Sequence, residues 1–232
     1  MCGRYALTLP PEAARSFYRY GEQPNFPPRY NIAPTQPVPI VRPGRGKDGA
    51  AERHFALVRW GFLPSFVKDL RTFPLIINAR AETLSEKQSF RAAFMRRRCL
   101  FIADGFYEWQ RAGAAPGKSA SRPFLMRRRD GAPLAFAGLW ENWMGADGSE
   151  IETACIVTTA ANGAMSAIYD RMPAILEPEV FDAWLDAGHV GVNEAESLLK
   201  PAAEDCLDLI AVGTAVNKAA NVGPEIQIRL AR

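Results

Sequence analysis

The chain has 232 residues, carries 28 Lys and Arg against 25 Asp and Glu for a net charge of +3, and is 48% apolar. This length suits one large domain or two small ones, and the apolar content excludes wholesale disorder. No apolar run is long enough to span a membrane and the N-terminus lacks the apolar region of a signal peptide, so we expect a cytosolic or nuclear protein.

The first predicted element is a helix over residues 10–20, because this segment opens with prolines and an acidic residue, as first helical turns do. Strands are predicted at residues 38–42, 54–62 and 74–80, where β-branched and aromatic residues lie between Gly, Pro and Asp. Residues 42–53 are rich in Gly, Ala and basic residues, and this composition predicts a surface loop.

A second helix is predicted over residues 85–98. Ser85 and Gln88 have the spacing of a capping box, while Phe90 and Phe94 lie four residues apart and therefore share one face. The last turn is basic, which suits the negative end of the helix dipole.

The rest of the chain is predicted to be mainly strands, with one more helix at residues 178–188 and one more loop at residues 111–123. The strands cover residues 99–109, 123–129, 134–143, 154–160, 172–176, 207–212 and 225–230. Because strands outnumber helices and come in adjacent runs, we expect an α+β fold in a single domain. It would have an antiparallel-rich, barrel-like β core flanked by a few helices.

Charge is distributed unevenly along the chain. Residues 1–130 hold 23 basic and 10 acidic residues, a balance of +13, whereas residues 131–232 hold 5 and 15, a balance of −10. Such asymmetry favours a basic surface for a polyanion, and arginine, with its planar fork suited to phosphate, supplies 22 of the 28 basic residues. Alternatively, charges from the two halves intermix in space and the sums carry no functional meaning.

A cysteine can either take part in a reaction or only pack in the core. Cys2 lies at a chain end, where burial is hard to arrange, whereas the other three, Cys99, Cys155 and Cys206, lie inside the chain. They are widely spaced, and neither of the two histidines lies near one in sequence. We therefore expect no zinc site and no disulfide framework.

Two polar residues occupy positions where a strand favours other types. Asn78 follows an apolar run and is either a turn cap or an amide aimed into a site. Glu108 lies between Tyr107 and Trp109. It is either an ordinary solvent-facing residue or a desolvated carboxylate whose raised pKa suits proton transfer.

Mixed aromatic and basic segments carry the same ambiguity. The aromatic residues of segments 58–66 and 106–111 can stack on nucleic-acid bases; alternatively, Trp60, Phe62 and Trp109 belong to the core. Asp170 and Arg171, which precede a predicted strand, form either a local ion pair or part of a site.

The order of several short motifs is more specific than any of them alone. They are MCGRY, PRYNIAPTQ, RWGFLPSF, INARAET, RRCLFIADGFYEW, FAGLWENW, IVTTAAN and DRMPAIL, and the resemblance that they carry covers roughly residues 2–217. In this order the chain resembles the SRAP family, the SOS response-associated peptidases, which shield abasic sites in DNA by crosslinking to them.

The resemblance implies a function and assigns roles by motif match. Met1 is lost, by self-cleavage or by an aminopeptidase, and Cys2 then reacts with the aldehyde of an abasic site in single-stranded DNA. Asn78 matches the family's active-site amide and Glu108 its catalytic carboxylate. The positions that match DNA-binding residues of the family are Arg4, Arg80 and Arg171.

This reading implies lyase-type crosslinking chemistry, a self-processing peptidase activity on Met1, and no cofactor or metal. The expected partner is abasic single-stranded DNA, and we expect no association with a membrane. We expect a monomer, located in the cytoplasm with the nucleoid if the source is bacterial and in the nucleus if it is eukaryotic. Trp60, Phe66 and Trp109 are the expected base-stacking residues.

The proposed chemistry explains why the cysteine is second. Once Met1 leaves, an α-amine and a thiol lie on adjacent carbons, and the amine, with an ordinary pKa of about 7.7–8.0, is partly neutral at physiological pH. The amine forms an imine with the aldehyde, and the thiol closes a five-membered thiazolidine ring. We expect nearby arginines to favour the thiolate.

One position departs from the family pattern. The residue before Asp-Arg-Met-Pro is usually histidine and is Tyr169 here. A phenol with a pKa near ~10 cannot accept a proton at neutral pH as imidazole does. We expect crosslinking with altered rate or reversibility. A non-covalent single-stranded DNA-binding protein is the alternative, while a cysteine protease acting on other proteins lacks a histidine near the thiol.

Overall fold

The computed structural model describes residues 2–46, 51–110 and 121–231. The strands are β1 (Tyr5–Leu7), β2 (Arg29–Ile32), β3 (Pro37–Arg45), β4 (Ala51–Trp60), β5 (Asn78–Arg80), β6 (Arg98–Ala103), β7 (Gly105–Gln110), β8 (Arg122–Arg128), β9 (Leu134–Met144), β10 (Glu150–Ala160), β11 (Arg171–Pro173), β12 (Ile175–Leu176) and β13 (Leu207–Ala211). The α-helices are α1 (Pro11–Tyr18), α2 (Gln88–Arg96), α3 (Gly163–Ser166), α4 (Phe181–Leu185) and α5 (Val192–Ser197). Short 3₁₀ helices cover Ala81–Thr83, Pro178–Val180, Thr214–Asn217 and Pro224–Gln227.

Five strands close into a barrel in the order β4, β3, β6, β9 and β10, with β10 pairing back to β4. Strand direction cannot alternate around a ring with an odd number of strands, so at least one neighbouring pair must be parallel. That pair is β4 with β10, and the other four are antiparallel. Closure removes the free edges that an open sheet would present.

A second, five-stranded sheet runs in the order β13, β8, β7, β1 and β2, and it is joined to the barrel where β6 turns into β7. At this turn the Asp104 carboxylate accepts hydrogen bonds from the backbone N–H and the hydroxyl of Thr8. Gly105 follows, and a Cβ there would lie 2.9 Å from the Leu125 side chain. The absence of a side chain therefore lets β7 and β8 approach closely.

The α+β fold with an antiparallel-rich, barrel-like core is confirmed. One continuous core joins the barrel to the flanking helices. Tyr5 reaches into it from β1, with ring centroids 6.4 Å from Phe101 and 6.2 Å from Phe136. Within the described residues no helix is long and apolar enough to cross a membrane.

Two local predictions are wrong for identifiable reasons. Residues 42–53 are mostly hairpin, because β3 and β4 pair from Pro37 to Arg45. Pro43 is tolerated there since β6 pairs with β3 only at Ile40 and Val41. Residues 225–230 are not a strand: Pro224 opens a 3₁₀ turn, and Ile228 stays exposed. Residues 111–120 of the second predicted loop lie outside the described residues.

Helix and strand boundaries also differ from the prediction. Helix α2 begins at Gln88 with Lys87 as N-cap and without a side-chain cap, so Ser85 forms no capping box. Residues 99–109 form two strands because Asp104 separates them. Strands β1 and β2 were not predicted, since runs of three or four residues carry too little periodicity to detect.

The charges of the two halves intermix, as the second interpretation of the asymmetry holds. Among the described residues, five ion pairs join a basic residue before position 131 to an acidic residue after it. They are Arg42–Glu152, Arg53–Asp182, Arg97–Glu141, Arg128–Glu177 and Arg129–Asp208. The excess of +13 is therefore not a measure of one basic face.

Candidate active site at the start of the chain

Strand pairing brings the start of the chain to Glu108. Strand β1 runs antiparallel to β7, with Tyr5 opposite Phe106 and Ala6 opposite Gly105. The backbone N–H of Tyr107 donates to the Arg4 carbonyl at 2.9 Å, which carries the ladder beyond β1 toward the N-terminus. The residues before Arg4 thus lie alongside Glu108, whose charge acts on the Cys2 thiol.

Asn78 reaches the same place from another direction. It begins β5, which pairs in parallel with β10, and Asn78 lies opposite Ile156. Its Nδ2 donates to the Cys2 carbonyl at 3.1 Å. Its Oδ1 is buried and finds no donor among the described residues, so it can accept a hydrogen bond from a bound molecule.

The Cys2 thiol is fully buried, and its electrostatic environment disfavours the thiolate. Burial raises its pKa, and the nearby charge of Glu108 raises it further. The expectation that arginines favour the thiolate is therefore wrong for this structure. The nearest arginine in sequence, Arg4, instead donates from Nη1 to Asn31 Oδ1 at 2.7 Å and to the Val216 carbonyl at 3.0 Å.

Glu108 is buried, with 3% of its surface exposed, so it is not the solvent-facing residue of the simpler interpretation. Burial raises the pKa of its carboxyl, and the charge of Asp170 raises it as well. The carboxyl also accepts a hydrogen bond from the backbone N–H of Trp109. A carboxyl in such surroundings can both accept and return a proton.

Tyr169 belongs to the segment that leads from α3 to β11. Its backbone N–H donates to the Met165 carbonyl at 2.9 Å, and its partly buried ring packs against the main core. The next residue, Asp170, is exposed and acts electrostatically on Glu108. The segment with the unusual tyrosine therefore approaches the group formed by Cys2, Asn78 and Glu108.

The three arginines predicted to bind DNA differ in their exposure and in their hydrogen-bond partners. Arg80 is exposed at the end of β5. Arg171 lies at the start of β11 and forms a two-pronged ion pair with Glu82. Arg4 is held by Asn31 and Val216, so part of its guanidinium already has a structural use.

The aromatic residues predicted to stack on bases also differ in their exposure. Trp60 is fully buried, with Nε1 donating to the Ile77 carbonyl at 3.0 Å and its ring against Tyr5, so its predicted contact with DNA is wrong. Trp109 is partly exposed and donates from Nε1 to Asn217 Oδ1 at 2.7 Å. Phe66 is 48% exposed and remains available at the surface.

The structure adds a residue to which the sequence analysis gave no role. Asn31 is buried: it accepts the hydrogen bond from Arg4, and its Nδ2 donates to three backbone carbonyls of the C-terminal segment. These carbonyls belong to Val216, Lys218 and Asn221. Asn31, in β2, thereby ties Arg4 and its own strand to the C-terminal segment. Its position within the motif PRYNIAPTQ was the available signal.

Among the residues that the structure describes, no group of three or more His, Cys, Asp or Glu side chains is arranged to hold an ion. The chemistry available at the site is that of a thiol, an amide and a carboxyl.

The fold and the site together define a class: a barrel protein that gathers a cysteine, an amide and a carboxyl at its first residues. The chain belongs to the SRAP family, since the model of the SOS response associated peptidase (SRAP) matches residues 1–219. The resemblance seen in the sequence is thereby confirmed.

Individual relatives extend this result. The chain is 35% identical to "Abasic site processing protein YoqW" of Bacillus subtilis, over 97% of this chain and 98% of that protein. It is 30% identical to "Abasic site processing protein HMCES" of Xenopus tropicalis, over 97% of this chain and 77% of that protein. A solved structure from Bacteroides thetaiotaomicron matches with a TM-score of 0.83 at 26% identity, over 99% of this chain and 100% of that one.

Proposed function

We propose that this protein processes abasic sites in DNA by forming a covalent crosslink to them through Cys2. Two groups from distant segments converge on the second residue, and this observation carries the proposal. Asn78 Nδ2 lies 3.1 Å from the Cys2 carbonyl oxygen, and the charge of Glu108 acts on the Cys2 thiol. The names of the relatives YoqW and HMCES support the choice of an abasic site as substrate.

The first step is hydrolysis of the peptide bond between Met1 and Cys2. One water molecule is consumed, free methionine leaves, and Cys2 gains an α-amine. The protein performs this step itself, as a self-processing peptidase, or an aminopeptidase performs it. Only a cysteine at position 2 then combines a free amine and a thiol on adjacent carbons.

The second step joins this aminothiol to the ring-opened sugar. The neutral amine adds to the aldehyde carbon, and loss of one water gives an imine. The thiol sulfur then adds to the imine carbon while its proton passes to the imine nitrogen, which closes the thiazolidine ring. Overall, one C–N and one C–S bond form and one water is released.

The surrounding residues position the reacting groups and transfer protons. Glu108, with its raised pKa, moves protons during ring opening, imine formation and the addition of the thiol. Because burial keeps the Cys2 thiol protonated, its proton must be carried to the imine nitrogen, and Glu108, the carboxylate whose charge acts on the thiol, can relay it. Asn78 holds the Cys2 backbone and offers Oδ1 to the sugar or the amine.

The partner in this proposal is single-stranded DNA, bound by a monomer. Arg80 supplies an exposed cation for the phosphates, and Arg171 supplies another once it is released from Glu82. Phe66 and Trp109 provide exposed or partly exposed aromatic surface for stacking.

The proposal is tested by the intact mass of the protein after incubation with a single-stranded oligonucleotide that carries one abasic site. We expect a heat-stable product whose mass is that of the protein without Met1, plus the oligonucleotide, minus one water. An unchanged protein mass despite measurable DNA binding would contradict the crosslink and favour the non-covalent DNA-binding alternative.

The departure at Tyr169 gives a further prediction. Tyr169→His introduces a group that can accept a proton at neutral pH, so we expect crosslink formation or reversal to become faster by at least roughly tenfold, without a change in the product. Tyr169→Phe serves as the control for the ring alone. Rates measured on denaturing gels that are equal in all three proteins would show that position 169 takes no part in the reaction.

A further inference from the structure

The Arg171 guanidinium is already occupied by an anion. Its Nη1 donates to Glu82 Oε1 at 2.6 Å and its Nη2 donates to Glu82 Oε2 at 2.9 Å. Nη2 also donates to the Thr158 carbonyl at 2.6 Å. This paired geometry is the one that an arginine uses to hold two oxygens of a phosphate.

Glu82 covers Arg171 from the solvent side. The Glu82 side chain is 51% exposed, whereas that of Arg171 is 13% exposed. Glu82 lies in the 3₁₀ turn that directly follows Arg80, and the hydrogen bonds from Arg171 lower the pKa of its carboxyl, with the charge of Arg80 adding to the effect. The carboxylate is therefore ionised at neutral pH and lies within the field of both arginines.

We propose that Glu82 occupies the place of a DNA phosphate on Arg171 and thereby limits the affinity of this surface for DNA. The inference rests on the proposed function, in which Arg80 and Arg171 hold the phosphates. A phosphodiester that reaches Arg171 must displace one anion to bind in its place, so the exchange gains little Coulomb energy. Partly exposed ion pairs contribute little stability, so the carboxylate can be displaced.

The consequence is selectivity between damaged and intact DNA. With Arg171 covered, undamaged strands are held by fewer cations and dissociate readily. An abasic strand is retained because the reaction at Cys2 traps it covalently. Glu82 is thus a specificity-determining residue for the DNA rather than a catalytic one.

The test is the binding of an undamaged single-stranded oligonucleotide to Glu82→Gln, measured by fluorescence anisotropy over a series of salt concentrations. Removing the carboxylate charge should tighten binding roughly three- to tenfold at low salt. One additional phosphate contact should also steepen the slope of log Kobs against log salt by about 0.7. Glu82→Ala, which also uncovers Arg171, should behave in the same way and guards against a folding defect of one variant.

Two further variants separate the local effect from net charge. Glu86→Gln changes the net charge equally at an exposed position four residues away and should leave the slope unchanged. In the double variant Glu82→Gln/Arg171→Gln, both the gain in affinity and the steeper slope should disappear. An unaltered or weaker affinity of Glu82→Gln, or an equal gain in Glu86→Gln, would overturn the inference.

The outcome is independent of the crosslink itself. If the wild type forms no covalent product with abasic DNA, the proposed function fails whatever the Glu82 variants do. If the wild type crosslinks and Glu82→Gln binds undamaged DNA no more tightly, only the role of Glu82 fails.

Discussion

Cys2→Ala is expected to reduce the heat-stable adduct with an abasic oligonucleotide to background, with DNA binding retained. After loss of Met1 this variant still carries an α-amine, so it can form an imine with the aldehyde. Without the thiol no ring closes, and the imine hydrolyses when the sample is heated. Denaturing gels run after heating measure the loss.

Reduction with borohydride distinguishes this outcome from a misfolded protein. It converts the imine of Cys2→Ala into a stable amine, so the variant should crosslink under reducing conditions at a rate near that of the wild type. Cys206→Ala is the matched control, because Cys206 is more exposed than Cys2 yet has no neighbouring amine. A heat-stable adduct in Cys2→Ala without reduction, or its loss in Cys206→Ala, would refute the role of the paired amine and thiol.

The sequence predicted the members of the site better than their environment. Cys2, Asn78 and Glu108 stand out as polar residues at odd positions, and a resemblance in motif order connected them. Their meeting depends on the register of a three-residue strand, β1, against β7, and so short a strand has no detectable period. The neutral state of the Cys2 thiol depends on burial, which only the closed fold defines.

The environments of Trp60 and Arg171 escaped prediction for a similar reason. Trp60 ends β4 where the barrel closes on β10, so its ring turns into the core rather than outward. Arg171 is paired with a glutamate 89 residues earlier in the chain, and a local reading of Asp170 and Arg171 cannot find such a partner. In both cases the contact that defines the environment comes from a distant part of the chain.

The role proposed for Glu108 in proton transfer opposes the stability of the fold. Because burial raises its pKa in the folded protein, the folded state binds the proton more tightly than the unfolded state does. The free energy of unfolding therefore falls as the pH rises from about 4.5, the ordinary value, through the raised pKa, and it stays lower above that pH. A buried carboxylate at neutral pH thus destabilises the fold, and the proposed proton transfer gives a reason for its presence.

Glu108→Gln should consequently be slower and more stable at once. We expect the crosslinking rate at neutral pH to fall by about 10²- to 10⁴-fold, the usual contribution of general acid–base catalysis. The melting temperature should exceed that of the wild type at neutral pH, and the difference should vanish below pH 4.5, where the wild-type carboxyl is protonated in both states. Single-turnover gels and calorimetry across this pH range measure the two effects.

Glu141→Gln is the control that separates a catalytic carboxylate from a structural one. Glu141 is equally buried and forms an ion pair with Arg97 at 2.6 Å, so its neutralisation leaves a half-buried guanidinium without this partner. This variant should melt at a lower temperature and crosslink at the wild-type rate. If Glu108→Gln crosslinked at the wild-type rate, or lost stability as Glu141→Gln does, Glu108 would be a structural residue and the proton would need another acceptor.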